Sequence, residues 1–319
     1  MAASSLVRRV LIGVALGVFV SLGLALAANL PALGEALGRF RWRLLPLIVA
    51  ATLANHALRF LKWDAYLRWL AVRLPRRQSL LVFVAGFTMA ITPGKLGEIL
   101  KAFLVRDLVG TPASLTASVV MAERLTDVAA LLGLAALGGT ALPHGPALLG
   151  AVAGLLVASL LALRSRRLAN LAQRLLEGSG PLARLAGPLR LFLGSGRALL
   201  APGILLWTVL LSVVAWSFEC LALALVLDGL GIAVPLRAAT FVYAFASLAG
   251  AVSMLPGGLG VAEGSLTGLL VALGARLPDA AAATLLVRAA TLWLAVALGA
   301  GTLGLAFRGG PRLPEGTPA

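Results

Sequence analysis

Cysteine occurs once in this chain, at Cys220, and histidine twice, at His56 and His144. A single thiol excludes an intramolecular disulfide, and one Cys with two scattered His leaves no set of ligands for a zinc site. Charge is also scarce. Only 12% of the 319 residues are Asp, Glu, Lys or Arg, where a soluble domain carries about a quarter. Neither a Gly-x-Ser-x-Gly elbow nor a metal-binding motif occurs, so nucleophilic and metal-assisted catalysis have little support. Ten-residue segments of alternating hydrophobicity, the mark of a membrane barrel, are absent too. No cofactor and no metal is expected.

What the chain has instead is apolar length. Hydrophobic residues make up 60% of it, the mean hydropathy is +1.00, and several windows exceed the roughly 18 residues needed to cross a bilayer as a helix. These windows fall near 10–30, 44–61, 80–105, 114–139, 146–163, 203–227, 238–273 and 279–307. The expected fold is an all-α polytopic membrane bundle with a single transmembrane domain over 1–307 and a disordered tail over 308–319. Arg8-Arg9 and the run to Ala28 read as an uncleaved first span, because the run is longer than a signal h-region. The net charge of +15 does not argue for nucleic acid. The basic residues flank spans, where they set topology and meet anionic headgroups.

Two of the windows are broken by the same phrase. Thr92-Pro93-Gly94-Lys95-Leu96-Gly97 interrupts the third and Leu255-Pro256-Gly257-Gly258-Leu259-Gly260 the seventh. An arginine follows each inside an apolar run, Arg124 and Arg288. The offset between the halves stays at 163 from Leu96 to Leu259 and from His56 to Glu219, and is 164 from Arg124 to Arg288. Reading both broken windows as re-entrant hairpins places eighteen Lys and Arg on the cytoplasmic side and five outside, as the positive-inside tendency requires. The Arg39, Arg41 and Arg43 cluster, on the outer side, is the misfit. This topology makes 44–139 and 205–307 inverted repeats, each with one Pro-Gly-broken hairpin, joined by a basic cytoplasmic connection at 164–201. Both termini are then cytoplasmic. Paired broken segments of this kind point to a transporter's binding site. Residues 62–79 read as an interfacial amphipathic helix, with Trp63, Tyr66 and Trp69 among Lys62, Arg68 and Arg73.

Irregular backbone is tolerated at membrane depth only against protein or a wet cavity. Pro93, Gly94, Gly97, Pro256, Gly257, Gly258 and Gly260 are therefore candidate hairpin tips. The half-helices after them point free N–H groups at the tips, which suits a phosphate, and Lys95 adds charge to the first. Glu98 and Glu263 follow the tips. Glu123, Arg124 and Asp127 lie on the next helix, with Glu123 and Asp127 one turn apart on one face. A charge at mid-helix needs a partner or a cavity. These residues and Arg288 are candidates for substrate contact or for a structural network, for instance Arg124 bonded to Asp127 or Glu98. Glu219 joins them through its repeat position opposite His56.

The phrases Thr92 to Phe103, Glu123-Arg124-Leu125-Thr126-Asp127 and Leu255 to Glu263 resemble the lysylphosphatidylglycerol synthase transmembrane region family, also called flippase-like domain proteins. The resemblance covers roughly 10–307 and adds Lys101 to the candidate site. It implies a bacterial inner-membrane protein that moves a phospholipid or polyprenyl-phosphate-linked lipid between leaflets. Its partners would be lipids with phosphate headgroups and, in one reading, a separately encoded transferase. The best-known relatives carry a further cytosolic synthase domain, for which this chain has no segment, so a carrier is expected rather than a synthase. The alternatives are a membrane-embedded glycosyl- or aminoacyl-lipid transferase, or an accessory subunit of one.

Overall fold

The computed structural model describes residues 3–91, 99–138, 145–165, 167, 170 and 184–308, and every regular element among them is helical. In chain order these are α1 (Ala3–Ala27), α2 (Leu30–Arg39), α3 (Leu45–Trp69), α4 (Arg76–Gly86), α5 (Ile99–Val109), α6 (Ala113–Gly138), α7 (Gly145–Arg164), α8 (Ala186–Leu199), α9 (Pro202–Gly229), α10 (Leu236–Val252), α11 (Val261–Ala272), α12 (Leu277–Arg288) and α13 (Leu294–Arg308). A five-residue π-turn, Ala289–Trp293, joins the last two. Four described helical runs are long and apolar enough to cross a membrane: Val10–Ala27, Trp42–Trp69, Pro202–Gly229 and Leu277–Leu305. The chain is an all-α polytopic membrane protein. The first tip (Pro93, Gly94, Lys95, Gly97 and Glu98) and the tail after Arg308 lie outside the described residues.

The sequence explains where the helices stop. Proline opens α2, α3, α9 and α12 within the first two positions, where its missing N–H leaves no intrahelical bond unmade. The break after α10 is built from positive φ at Gly257 (61°), Gly258 (67°) and Gly260 (85°), a region that side chains resist. At Gly258 a Cβ would stand 2.9 Å from the Gly250 backbone, so α10 and α11 close on one another only because both positions lack side chains. Gly86 plays a related part between α4 and α5, since a Cβ there would meet the Lys101 stem at 2.8 Å.

The order long helix, short helix, break, short helix, long helix runs through α3 to α6 and again through α9 to α13. Contacts between the two stretches are reciprocal: α3 packs along α9, α10 along α6, and α4 against α13. The core has two apolar clusters. One gathers Tyr66, Leu67, Val72, Val105 and Leu199, with Leu74, Val109 and Leu115 against them. The other gathers Leu33, Phe40, Ile48, Leu134, Val226, Leu270 and Ala280, with Val234 and Leu273 against them. The outer ends of α4 and α5 therefore lie in the first cluster, and those of α10 and α11 in the second. Their inner ends approach each other, because a Cβ on Gly257 would sit 3.4 Å from the Ile91 side chain. At about 1.5 Å per residue, the 11 residues of α4 and 17 of α10 fall short of the roughly 30 Å hydrocarbon core.

Two sequence expectations change here. Residues 62–69 continue α3 without a break, and Lys62, Trp63, Tyr66 and Leu67 are buried; they are not an interfacial surface helix. No proline or glycine lies between Pro46 and Trp69 to break the helix, and its aromatic residues pack on α4 through Phe83. The Arg39–Arg43 misfit also gains a physical account. Arg39 shares Asp279 with Arg276, at 2.9 and 2.7 Å, and Arg41 pairs with Asp228 at 2.7 Å, so part of the cluster's charge is offset at its own end of the bundle.

Candidate functional site

The middle of the molecule is polar. On α3, Asn55, Arg59 and Lys62 repeat at helical spacing along one stripe. On α6, Glu123 and Asp127 do the same, and the two stripes face each other. Lys62 Nζ donates to Asp127 Oδ1 at 2.6 Å, to Ser212 Oγ of α9 at 2.6 Å and to Thr126 Oγ1 at 3.2 Å. Ser212 Oγ in turn donates to Asp127 at 3.2 Å. Arg59 and Arg124 approach the other Asp127 oxygen at 3.6 and 3.9 Å. Three cations thus converge on one carboxylate. Arg59 also lies over the Trp216 ring at 5.6 Å, a contact that favours a desolvated guanidinium.

Lys101 and Glu123 form a second buried pair at 2.7 Å. The Lys101 ammonium lies over the Trp63 ring at 4.4 Å, and its aliphatic stem fills the space left by Gly86. Several buried polar atoms here have no hydrogen-bond partner among the described residues: Glu123 Oε1, Asp127 Oδ2, Arg59 Nε and both ring nitrogens of His56. Buried polar atoms are ordinarily satisfied by protein or water, so these atoms keep hydrogen-bonding capacity that the described residues do not use. His56 stacks on Phe87, just before the first break, at 4.6 Å.

The second tip is held by Glu263 and Arg288. Glu263 Oε2 accepts from the Gly260 N–H at 2.7 Å, reaching back to satisfy the backbone at the start of α11. Arg288 Nε donates to Glu263 Oε1 at 2.6 Å, and its Nη2 to the Gly257 carbonyl at 2.9 Å. One guanidinium therefore clasps both the carboxylate and the turn backbone. The π-turn begins directly after Arg288, and π-turns frequently accompany functional positions. Glu219, at mid-α9, accepts from the Tyr243 hydroxyl of α10 at 3.0 Å.

Of the residues singled out from the sequence, the structure gathers Lys101, Glu123, Arg124 and Asp127 in the first network. It gathers Pro256, Gly257, Gly258, Gly260, Glu263 and Arg288 at the second tip. Glu219 stands between the two, within electrostatic reach of Arg59 and Arg288. Lys95 and Glu98 are among the residues not described. Sequence reasoning missed Arg59, Lys62, Ser212 and Tyr243. The first two carried a readable signal, the polar stripe Asn55–Arg59–Lys62 inside an apolar run. Ser212 and Tyr243 carried none, since isolated hydroxyls in apolar helices are ordinary.

Comparison with known proteins agrees with this architecture. A UPF0104 membrane protein of Methanothermobacter thermautotrophicus is 29% identical over 220 residues, covering 64% of this chain and 66% of that relative. This chain thus matches just under two thirds of the relative's length. Residues 10–299 match the family described as the lysylphosphatidylglycerol synthase TM region, and the chain belongs to that family.

Proposed function

We propose that the protein carries a lipid with a phosphate headgroup from one leaflet to the other. The observation that carries this reading is the convergence of Arg59, Lys62 and Arg124 on the single carboxylate of Asp127, deep inside a membrane bundle and beside unsatisfied polar atoms. Charges at this depth face a partner or a pathway. An excess of cations over anions suits a phosphate, which guanidinium groups bind with matched geometry. In this reading α4–α5 and α10–α11 are opposed hairpins of two inverted repeats, 44–139 and 205–307. The separation of their outer ends into different clusters and the meeting of their inner ends support it. Headgroup and cations would meet where the tips meet, with the tails left in the bilayer. A bacterial inner-membrane setting with both termini cytoplasmic is part of the same proposal.

The test is reconstitution into liposomes containing a trace of fluorescent phosphatidylglycerol, with exposure of the label to a membrane-impermeant quencher. Wild-type protein should accelerate exchange between leaflets over empty liposomes, and Arg59→Ala and Arg124→Ala should abolish the acceleration while each protein stays folded. No acceleration by wild type, or undiminished acceleration by both variants, overturns the reading.

A further inference from the structure

Glu219 differs from every other carboxylate of the described interior. Asp127, Glu123, Glu263 and Asp279 each have a cation at 2.6 to 2.7 Å, and Asp64 has Arg68 and Arg76 at 3.3 and 3.6 Å. Glu219 is 3% exposed, and among the described residues it accepts a hydrogen bond from a neutral hydroxyl, that of Tyr243, with no cation at ion-pair distance. The surrounding charge is nevertheless positive. Arg59 from α3 and Arg288 from α12 act on it through space, each held by another acid. His56 lies on α3 where that helix crosses α9, at the matching repeat position. From α6, Asp127 reaches α9 at Ser212, about two turns away. The turn Trp42–Leu44 meets α9 near its far end, where Arg41 pairs with Asp228.

We infer that Glu219 is a proton-binding site that couples lipid movement to a proton gradient, the proton and the anionic headgroup crossing together. This rests on the lipid-carrier reading above. The charges set the direction of coupling. With a proton on Glu219, the network around it holds the cations Arg59, Lys62, Lys101, Arg124 and Arg288 against the carboxylates of Glu123, Asp127 and Glu263, while buried Asp64 is paired separately with Arg68 and Arg76. That surplus is positive, and a phosphate headgroup fills it. A headgroup lying among the same arginines brings negative charge toward Glu219, and a nearby like charge disfavours the ionised carboxyl. Anion and proton therefore strengthen each other's binding, and linkage makes the effect reciprocal. When the headgroup leaves, the positive charge of Arg59 and Arg288, acting through space from their own ion pairs, again favours an ionised Glu219, and the proton passes to water on that side. A monoanionic headgroup with one proton crosses without net charge, so the step is driven by pH difference and not by voltage.

The experiment uses the full chain in liposomes with fluorescent phosphatidylglycerol and a trapped pH dye. A pH gradient is imposed in either direction, and the voltage is clamped by potassium and valinomycin. Labelled lipid should collect in the leaflet facing the alkaline side, approaching about tenfold asymmetry per pH unit at one proton per lipid, and the dye should report proton entry that depends on the lipid. Glu219→Gln should remove both the asymmetry and the proton entry; retention of both overturns the proposal. Tyr243→Phe, which keeps the ring, should displace the pH at half-maximal exchange, and a profile superimposable on wild type overturns Glu219 as the titrating group. Wild-type exchange that ignores the gradient sinks the coupling while the carrier stands. An absence of exchange under all conditions sinks the carrier reading itself.

Discussion

The two stretches α3–α6 and α9–α13 share an element order but use their charges differently. In the first, Arg59, Lys62 and Arg124 crowd onto Asp127, and Lys101 pairs with Glu123, all on the faces where helices meet. In the second, the Arg288–Glu263 pair is committed to its own turn, gripping the Gly257 carbonyl and the Gly260 N–H, and Glu219 stands apart from any cation. A shared order of elements therefore carries different chemistry in the two stretches. The first stretch assembles surplus positive charge, while the second rigidifies its tip and leaves one acid available.

The sharpest way to break this contrast is to remove Asp127. Asp127→Ala leaves three cations buried around an empty position, and losing one partner of a buried network costs about 3–5 kcal/mol. The variant should lose its folded, monodisperse peak in detergent chromatography, and a wild-type melting profile would refute the convergence. Arg288→Ala should have the next effect, about 1.5–3 kcal/mol for a charged hydrogen bond. Because Arg288 and Glu263 act as a unit, the double variant with Glu263→Ala should be less destabilised than the sum, as measured by thermal unfolding in a double-mutant cycle. Additive losses would mean that no clasp exists. The smallest effect compares glycines. Gly258→Ala forces a positive φ and a backbone clash, worth about 1–3 kcal/mol. Gly86→Ala meets only the movable Lys101 stem, so it should cost less in melting temperature while disturbing the Lys101–Glu123 pair. The reverse order would show that the second tip is the looser of the two.

How much of the site was legible follows from how each residue signals. Pro256, Gly257, Gly258 and Gly260 announced a turn because few other residues tolerate that backbone, and the turn stands where it was read. Glu123 and Asp127 were legible because charge in an apolar helix needs a reason. Lys62 was misplaced at an interface: its aromatic neighbours fit a headgroup belt and a helix core equally well, and only the packing of Trp63 and Tyr66 against neighbouring helices separates the two. The Arg124–Asp127 pairing was among the sequence expectations, whereas the addition of Arg59 and Lys62 to the same carboxylate depends on helices 65 residues apart in sequence.

The sequence alone determined that this chain is a helical membrane protein, that the chain turns at Pro256 to Gly260, and to which family it belongs. Those properties follow from hydropathy, local backbone preference and motif, which act within a few residues. Only the tertiary structure decided that α3 faces α6 and α9, that Arg288 reaches back to Gly257, and that Glu219 meets a tyrosine instead of a cation. Partner choice among buried charges is a matter of distance and desolvation, and neither quantity exists until the helices have packed.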